Sequence, residues 1–70
     1  MAGTITVTVN GQDRHTSASS TLLELLHRLE LDPRAVVVEL NRSIVRRPDL
    51  DSATLAEGDS VEIVHFVGGG

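Results

Sequence analysis

Cysteine, lysine, tyrosine and tryptophan are all missing from this 70-residue chain. Without cysteine there is no disulfide, no thiolate metal ligand and no thiol nucleophile. A small domain lacking such staples is expected in a reducing cytoplasm rather than outside the cell. Phe66 is the sole aromatic side chain and the net charge is −4. The chain therefore offers neither the stacking platform nor the excess positive charge that nucleic-acid binding uses. Its partners are expected to be proteins, with charge steering the encounter toward a basic groove. All six basic residues are arginine, so the N-terminus is the one amine and no lysine-linked polymer can be built on this chain. Long hydrophobic runs are missing as well. The longest, Ala35 to Val38, is far too short to span a membrane, and Met1 to Val9 alternates instead of running apolar after a basic start, which argues against a secretion leader.

Forty per cent of the residues are apolar, enough for one small core with a thin margin, so their pattern has to be good. Thr4 to Val9 alternates β-branched apolar and polar residues with the period of a half-buried strand. Asn10-Gly11 follows, a pair that tolerates positive φ at both turn positions, and predicts a hairpin with a return strand from Gln12 to about Thr16. After the small-polar loop Ser17 to Ser20, Thr21-x-x-Glu24 has the spacing of a capping box. Leu22, Leu25, Leu26 and Leu29 then fall on one face of a helix. About ten residues long, this helix is expected to carry a Glu24–Arg28 pair four apart and to end at Asp32-Pro33.

Ala35 to Leu40 reads as a buried strand, Asn41-Arg42 as a tight turn, and Ile44-Val45 as a short strand that Arg47-Pro48-Asp49 breaks. Ala56-Glu57-Gly58-Asp59 is a further turn, with Gly58 free to take positive φ, and Ser60 to Val67 is the last strand. One helix on one sheet makes an α+β two-layer domain. The helix is expected to form a crossover joining parallel strands, in a mixed sheet with the first and last strands as central neighbours. Residues 1–66 form this domain and 67–70 a flexible tail.

The tail ends on Gly68, Gly69 and Gly70. Lacking Cβ atoms, this arm can carry a terminal carboxylate into a cleft too narrow for side chains. Fully extended, the four residues from Val67 reach about 13 Å. An α-carboxylate is ionised at neutral pH and can attack a phosphoryl centre. No positioned base, metal or oxyanion hole accompanies it in the sequence, so activation has to come from a partner.

The hairpin, the Thr-x-x-Glu-capped leucine helix, the Glu57-Gly58-Asp59 turn, the apolar last strand and the terminal Gly69-Gly70 together resemble the ubiquitin-like sulfur carriers. Within that superfamily the likeness is to the ThiS type of thiamine biosynthesis. It covers essentially the whole chain. Its most specific parts are Leu55 to Val61 running on to Gly69-Gly70, and Val38 to Val45. Gly68 departs from the pattern as a third glycine and leaves the terminal pair intact. The resemblance implies a β-grasp fold of four to five strands with one packed helix, and a protein substrate rather than an enzyme. It implies that a ThiF-type adenylating partner, using ATP and Mg, activates the carboxylate of Gly70. A persulfide donor then converts it to a thiocarboxylate, which a thiazole synthase consumes. The chain itself is expected to bind no cofactor.

The remaining residues are read more plainly. His15, His27 and His65 lack ligand spacing and are expected as ordinary surface or half-buried histidines, not a metal site. Arg42, Arg46 and Arg47 form a basic cluster expected in a solvated loop. Asp49, Asp51, Glu57 and Asp59 are expected as turn and surface residues, without the apolar pocket that tunes a catalytic carboxylate. If Val61 and Ile63 face the core, then Glu62, Val64 and Phe66 face outward. Val64 and Phe66, with Val67 beyond them, would then form an apolar partner-binding patch at the root of the tail. Two other functions fit the same residues: a carrier serving another pathway (molybdopterin, cysteine or siderophore), and a ubiquitin-like docking module without chemistry.

Overall fold

The two hairpin turns among the described residues adopt the left-handed backbone their residues allow, and they set the register of the sheet. In a computed structural model, which describes residues 3–66, Asn10 and Gly11 have φ of 51° and 83°. They join β1 (Thr4–Val9) to β2 (Gln12–Ser17), which pair antiparallel from Thr4↔Ser17 to Val9↔Gln12. Asn41 and Arg42, with φ of 51° and 73°, do the same for β3 (Val36–Leu40) and β4 (Ser43–Val45). Two positive φ values in a two-residue loop match the right-handed twist of the flanking strands. The last strand, β5 (Ser60–His65), lies between the two hairpins. It runs parallel to β1 and antiparallel to β3, giving the mixed order β2-β1-β5-β3-β4.

The helix α1 (Leu22–Arg28) begins as its sequence predicts. Thr21 Oγ1 accepts from Glu24 N–H at 3.2 Å, and the Glu24 carboxylate accepts from Thr21 N–H at 2.9 Å. It ends earlier than expected, after seven residues. Glu30 takes φ of 59°, Glu30 N–H donates to His27 O at 3.0 Å, and Leu31 N–H donates to Leu26 O at 2.9 Å. Those bonds are a Schellman stop, built on a glutamate where glycine is usual. Asp32 instead caps the separate 3-10 turn Pro33–Ala35. The expected Glu24–Arg28 pair does not form either. The Glu24 carboxylate is engaged at the helix start, and Arg28 donates to Thr16 Oγ1 at 3.2 Å and Ser17 Oγ at 3.4 Å.

The helix buries Leu22, Leu25 and Leu26 against the inward residues of the sheet, Val7, Val9, Val36, Val38, Val61 and Ile63. Leu50 and Leu55, from the long segment between β4 and β5, complete the core. That segment is fastened by backbone bonds from Leu22 N–H to Ala53 O, Leu23 N–H to Leu50 O and Leu55 N–H to Ser20 O. The crossover joins parallel strands, and the first and last strands are central neighbours, as expected. The chain leaves β2 and re-enters the sheet at β3 running the same way, but these strands are not neighbours: β1 and β5 stand between them. The parallel pairing among the described strands is β1 with β5. No described helix is long and apolar enough to cross a membrane.

Candidate functional site: the root of the tail

Everything that precedes the tail converges on β5. Alternation works as expected: Val61 and Ile63 are buried, while Glu62, Val64 and Phe66 lie on the face the helix leaves uncovered. Val64 is 61% exposed and Phe66 63%. Ile44, expected only as part of a short strand, is 66% exposed. Val64 pairs with half-buried Val37 across β3, and Ile44 pairs with Glu39 across β4. The outer face therefore carries an apolar strip next to the tail, as the strand period foretold for Val64 and Phe66. Val67, Gly68, Gly69 and Gly70 lie outside the described residues. So does the end of the predicted last strand, whose described part stops at His65.

Two asparagines hold β5 in place. The β1–β5 ladder runs only from Thr8↔Ser60 to Val9↔Val61. Beyond it, Asn10 substitutes its side-chain amide for a strand. Its Nδ2 donates to Ile63 O at 3.1 Å, and Ile63 N–H donates to its Oδ1 at 2.7 Å. On the other flank, Ser60 N–H donates to Asn41 Oδ1 at 2.9 Å, and Asn41 Nδ2 donates to Asp59 Oδ1 at 3.0 Å. Past Ile63 the described strand is held by β3, ending with Phe66 N–H donating to Ala35 O at 2.9 Å. Neither clamp was legible in the sequence. Asn10 and Ile63 are 53 positions apart, and an asparagine in a turn signals only the turn.

The acidic turn residues have structural work. Thr6 N–H donates to Glu57 Oε1 at 3.0 Å and Ala56 N–H donates to Asp59 Oδ2 at 2.8 Å, while Gly58, at φ of 83°, donates to Thr6 O. These bonds dock the turn on β1 before β5 begins. Among the described residues no group of three or more His, Asp or Glu side chains gathers around a common point. His15 sits exposed with Nδ1 3.1 Å from Thr6 Oγ1, and His27 and His65 are also exposed.

The Arg34 guanidinium donates two bonds to the Asp32 carboxylate, and the Arg34 backbone N–H a third, holding that carboxyl below its ordinary value. Between the β3 edge and the Arg47–Asp49 turn lies a groove of about 640 Å³, with Phe66 at one end. A smaller hollow of about 260 Å³ lies beside Asn10, Leu31 and His65.

The model of the ThiS family matches residues 7–70. The chain belongs to this family. A sulfur carrier protein ThiS of Bacillus subtilis is 36% identical over 63 residues, covering 89% of this chain and 96% of that protein. A crystal structure of a thiamine biosynthesis protein (ThiS) from Geobacter metallireducens superposes with a TM-score of 0.82 at 36% identity, covering 94% of this chain and all of that one. The β-grasp fold expected from the resemblance is thereby the observed one, with five strands. A thiazole synthase of Paramagnetospirillum magneticum is 44% identical over 62 residues. The chain spans about a fifth (19%) of that relative's length and of the Magnetococcus marinus thiazole synthase it also matches.

Proposed function

We propose that the chain is a sulfur carrier of thiamine biosynthesis, loaded on the carboxylate of Gly70. The observation that carries this reading is the match to the ThiS family through residue 70, on a fold that leads β5 directly toward the glycines. A ThiF-type activating enzyme supplies ATP and Mg. The Gly70 carboxylate oxygen attacks the α-phosphorus, pyrophosphate leaves, and an acyl adenylate results. A persulfide sulfur then attacks the acyl carbon and AMP leaves. A thiol cleaves the remaining S–S bond, which releases the thiocarboxylate and forms a disulfide. The donor groups for both displacements belong to the partner, since carboxylate oxygen leaves readily only once it is part of an adenylate. The carrier binds no cofactor of its own in this scheme.

Val64 and Phe66, with Val67 following, form the surface the activating enzyme grips. The exposure of Val64 and Phe66 on the uncovered face, a few residues before Gly70 in the sequence, supports this role. The names of the thiazole synthases that contain a matching segment support a thiazole synthase as the recipient of sulfur.

Intact-mass measurement after incubation with a ThiF-type enzyme, ATP and a persulfide donor is expected to show one oxygen replaced by sulfur at Gly70. Deleting Gly70, or adding one residue after it, abolishes the exchange and leaves the melting temperature unchanged. Phe66→Asp lowers the loading rate without altering the end product. Sulfur accepted by the extended chain without prior cleavage would refute the terminal-carboxylate mechanism.

A further inference from the structure

The groove beside β3 has two properties that the apolar strip does not explain. The first is an unpaired piece of strand edge. Ala35 accepts from Phe66 and Asn41 donates to Ser60, so alternate residues between them direct their backbone groups toward β5. Val36, Val38 and Leu40 therefore direct theirs to the opposite side. There β4 pairs with Val38 and Leu40, and its register stops short of Val36. Val36 is only 7% exposed, yet its N–H and C=O have no hydrogen-bond partner among the described residues. Buried backbone groups in native structures are rarely left so.

The second property is charge. Arg46 and Arg47 line the same groove. Among the described residues neither makes an ion pair, whereas neighbouring Arg34 is taken by Asp32 at 3.1 Å. Three of the six arginines thus border one groove in a chain of net charge −4. The acidic groups near it are Asp32, bound to Arg34 and within electrostatic reach of Arg47, the exposed Asp49 of the adjoining turn, and Glu39 beside groove-lining Ile44.

The apolar lining discriminates between anionic ligands. It includes Val36, Val45, Leu50, Pro48 and Phe66. A phosphate backbone gains nothing from such a surface, while an extended peptide with apolar and acidic residues in alternation gains from lining and arginines alike. We infer that the groove receives an extended, carboxylate-bearing segment of the activating enzyme. One residue of that segment pairs with both backbone groups of Val36, and flanking carboxylates meet Arg46 and Arg47. The mode is strand addition at a short open edge. Phe66 also lines the groove and stands four residues before Gly70 in the sequence, so a segment seated there holds the carrier next to its tail. This inference rests on the sulfur-carrier reading.

The test is ATP-dependent loading of the full chain by a ThiF-type enzyme, with the carrier concentration varied. The double variant Arg46→Glu with Arg47→Glu is expected to raise KM by at least about tenfold with kcat nearly unchanged, and the difference to narrow at high salt. Hydrogen exchange at the Val36 amide is expected to slow when the enzyme is added. Both side chains are exposed, and a thermal melt of the variant checks that it folds. An unchanged KM, or an unprotected Val36 amide in the complex, would overturn the groove assignment while Gly70 loading still supports the carrier reading. Wild-type chain that is never loaded would remove the carrier reading and this inference with it, whereas loading lost only in the Gly70 deletion separates the two. Inorganic phosphate that protects Val36 as well as the enzyme does would make the groove a simple anion site and overturn the proposal.

Discussion

Replacing Asn10 separates the two duties this residue performs, turn and clamp. Its φ of 51° suits asparagine and glycine, whereas alanine there costs on the order of 1 kcal/mol. Its amide makes two bonds to Ile63, of 2.7 and 3.1 Å, in a part-buried setting. At about 0.5–1.5 kcal/mol net for each bond, their loss costs about 1–3 kcal/mol. Asn10→Gly keeps the turn and loses the bonds, so it should destabilise by about 1–3 kcal/mol. Asn10→Ala loses both and should cost about 2–4 kcal/mol. A domain of this size has roughly 3.5–10 kcal/mol in total, so the alanine variant spends a large share of it. Each kcal/mol moves the midpoint of a small domain by about 4–8 °C. Thermal and urea unfolding of the three proteins, with hydrogen exchange at the Ile63 amide, provides the measurement. The Ile63 amide should lose protection in both variants while Val61 and Val64 keep theirs. If Asn10→Gly melted within about 1 °C of the parent, the side-chain clamp would not be holding β5, and the account of how the last strand is fixed would fail with it.

Two further outcomes follow from local features. Glu30→Gly places glycine at the left-handed Schellman position, and should stabilise the domain by about 0.5–1 kcal/mol, read as a higher melting temperature. No stabilisation would mean that the Glu30 backbone is relaxed as it stands. Asp32 has its carboxyl pKa lowered from 3.8 by hydrogen bonds from Arg34. A folded-state pKa below the unfolded one contributes stability that is fully present above the unfolded value and is lost as pH falls through the folded one. Asp32→Asn should therefore differ from the parent by a constant amount at neutral pH, and the difference should shrink below about pH 4. The pair is exposed, so the effect is small, and a gap that widened on acidification would reverse the assignment.

Much of the fold was legible because it is written in local terms. The alternation of Thr4 to Val9, the Asn10-Gly11 turn, the Thr21–Glu24 box and the leucine spacing each specify geometry within a few residues, and each was observed. The helix end was missed because Glu30 in a left-handed conformation has no sequence signature, while Asp32-Pro33 advertises a stop and in fact opens a 3-10 turn. The expected Glu24–Arg28 pair does not form because both partners have better bonds elsewhere. On the outer face, Val64 and Phe66 followed from strand period alone. Ile44 did not, because nothing within β4 itself specifies what packs over it.

Local sequence alone settled which segments become strands and helix and which residues turn inward. These are properties of neighbours along the chain, set by sterics and by periods of two and 3.6 residues. Long-range packing placed β5 between two hairpins, clamped by Asn10 and Asn41. It alone decided that β4 stops short of Val36, and that Arg46 and Arg47 border the gap. Those relations join residues as many as 53 positions apart. They exist only after the core has closed, because burial of the leucines and valines is what brings the two halves of the chain together.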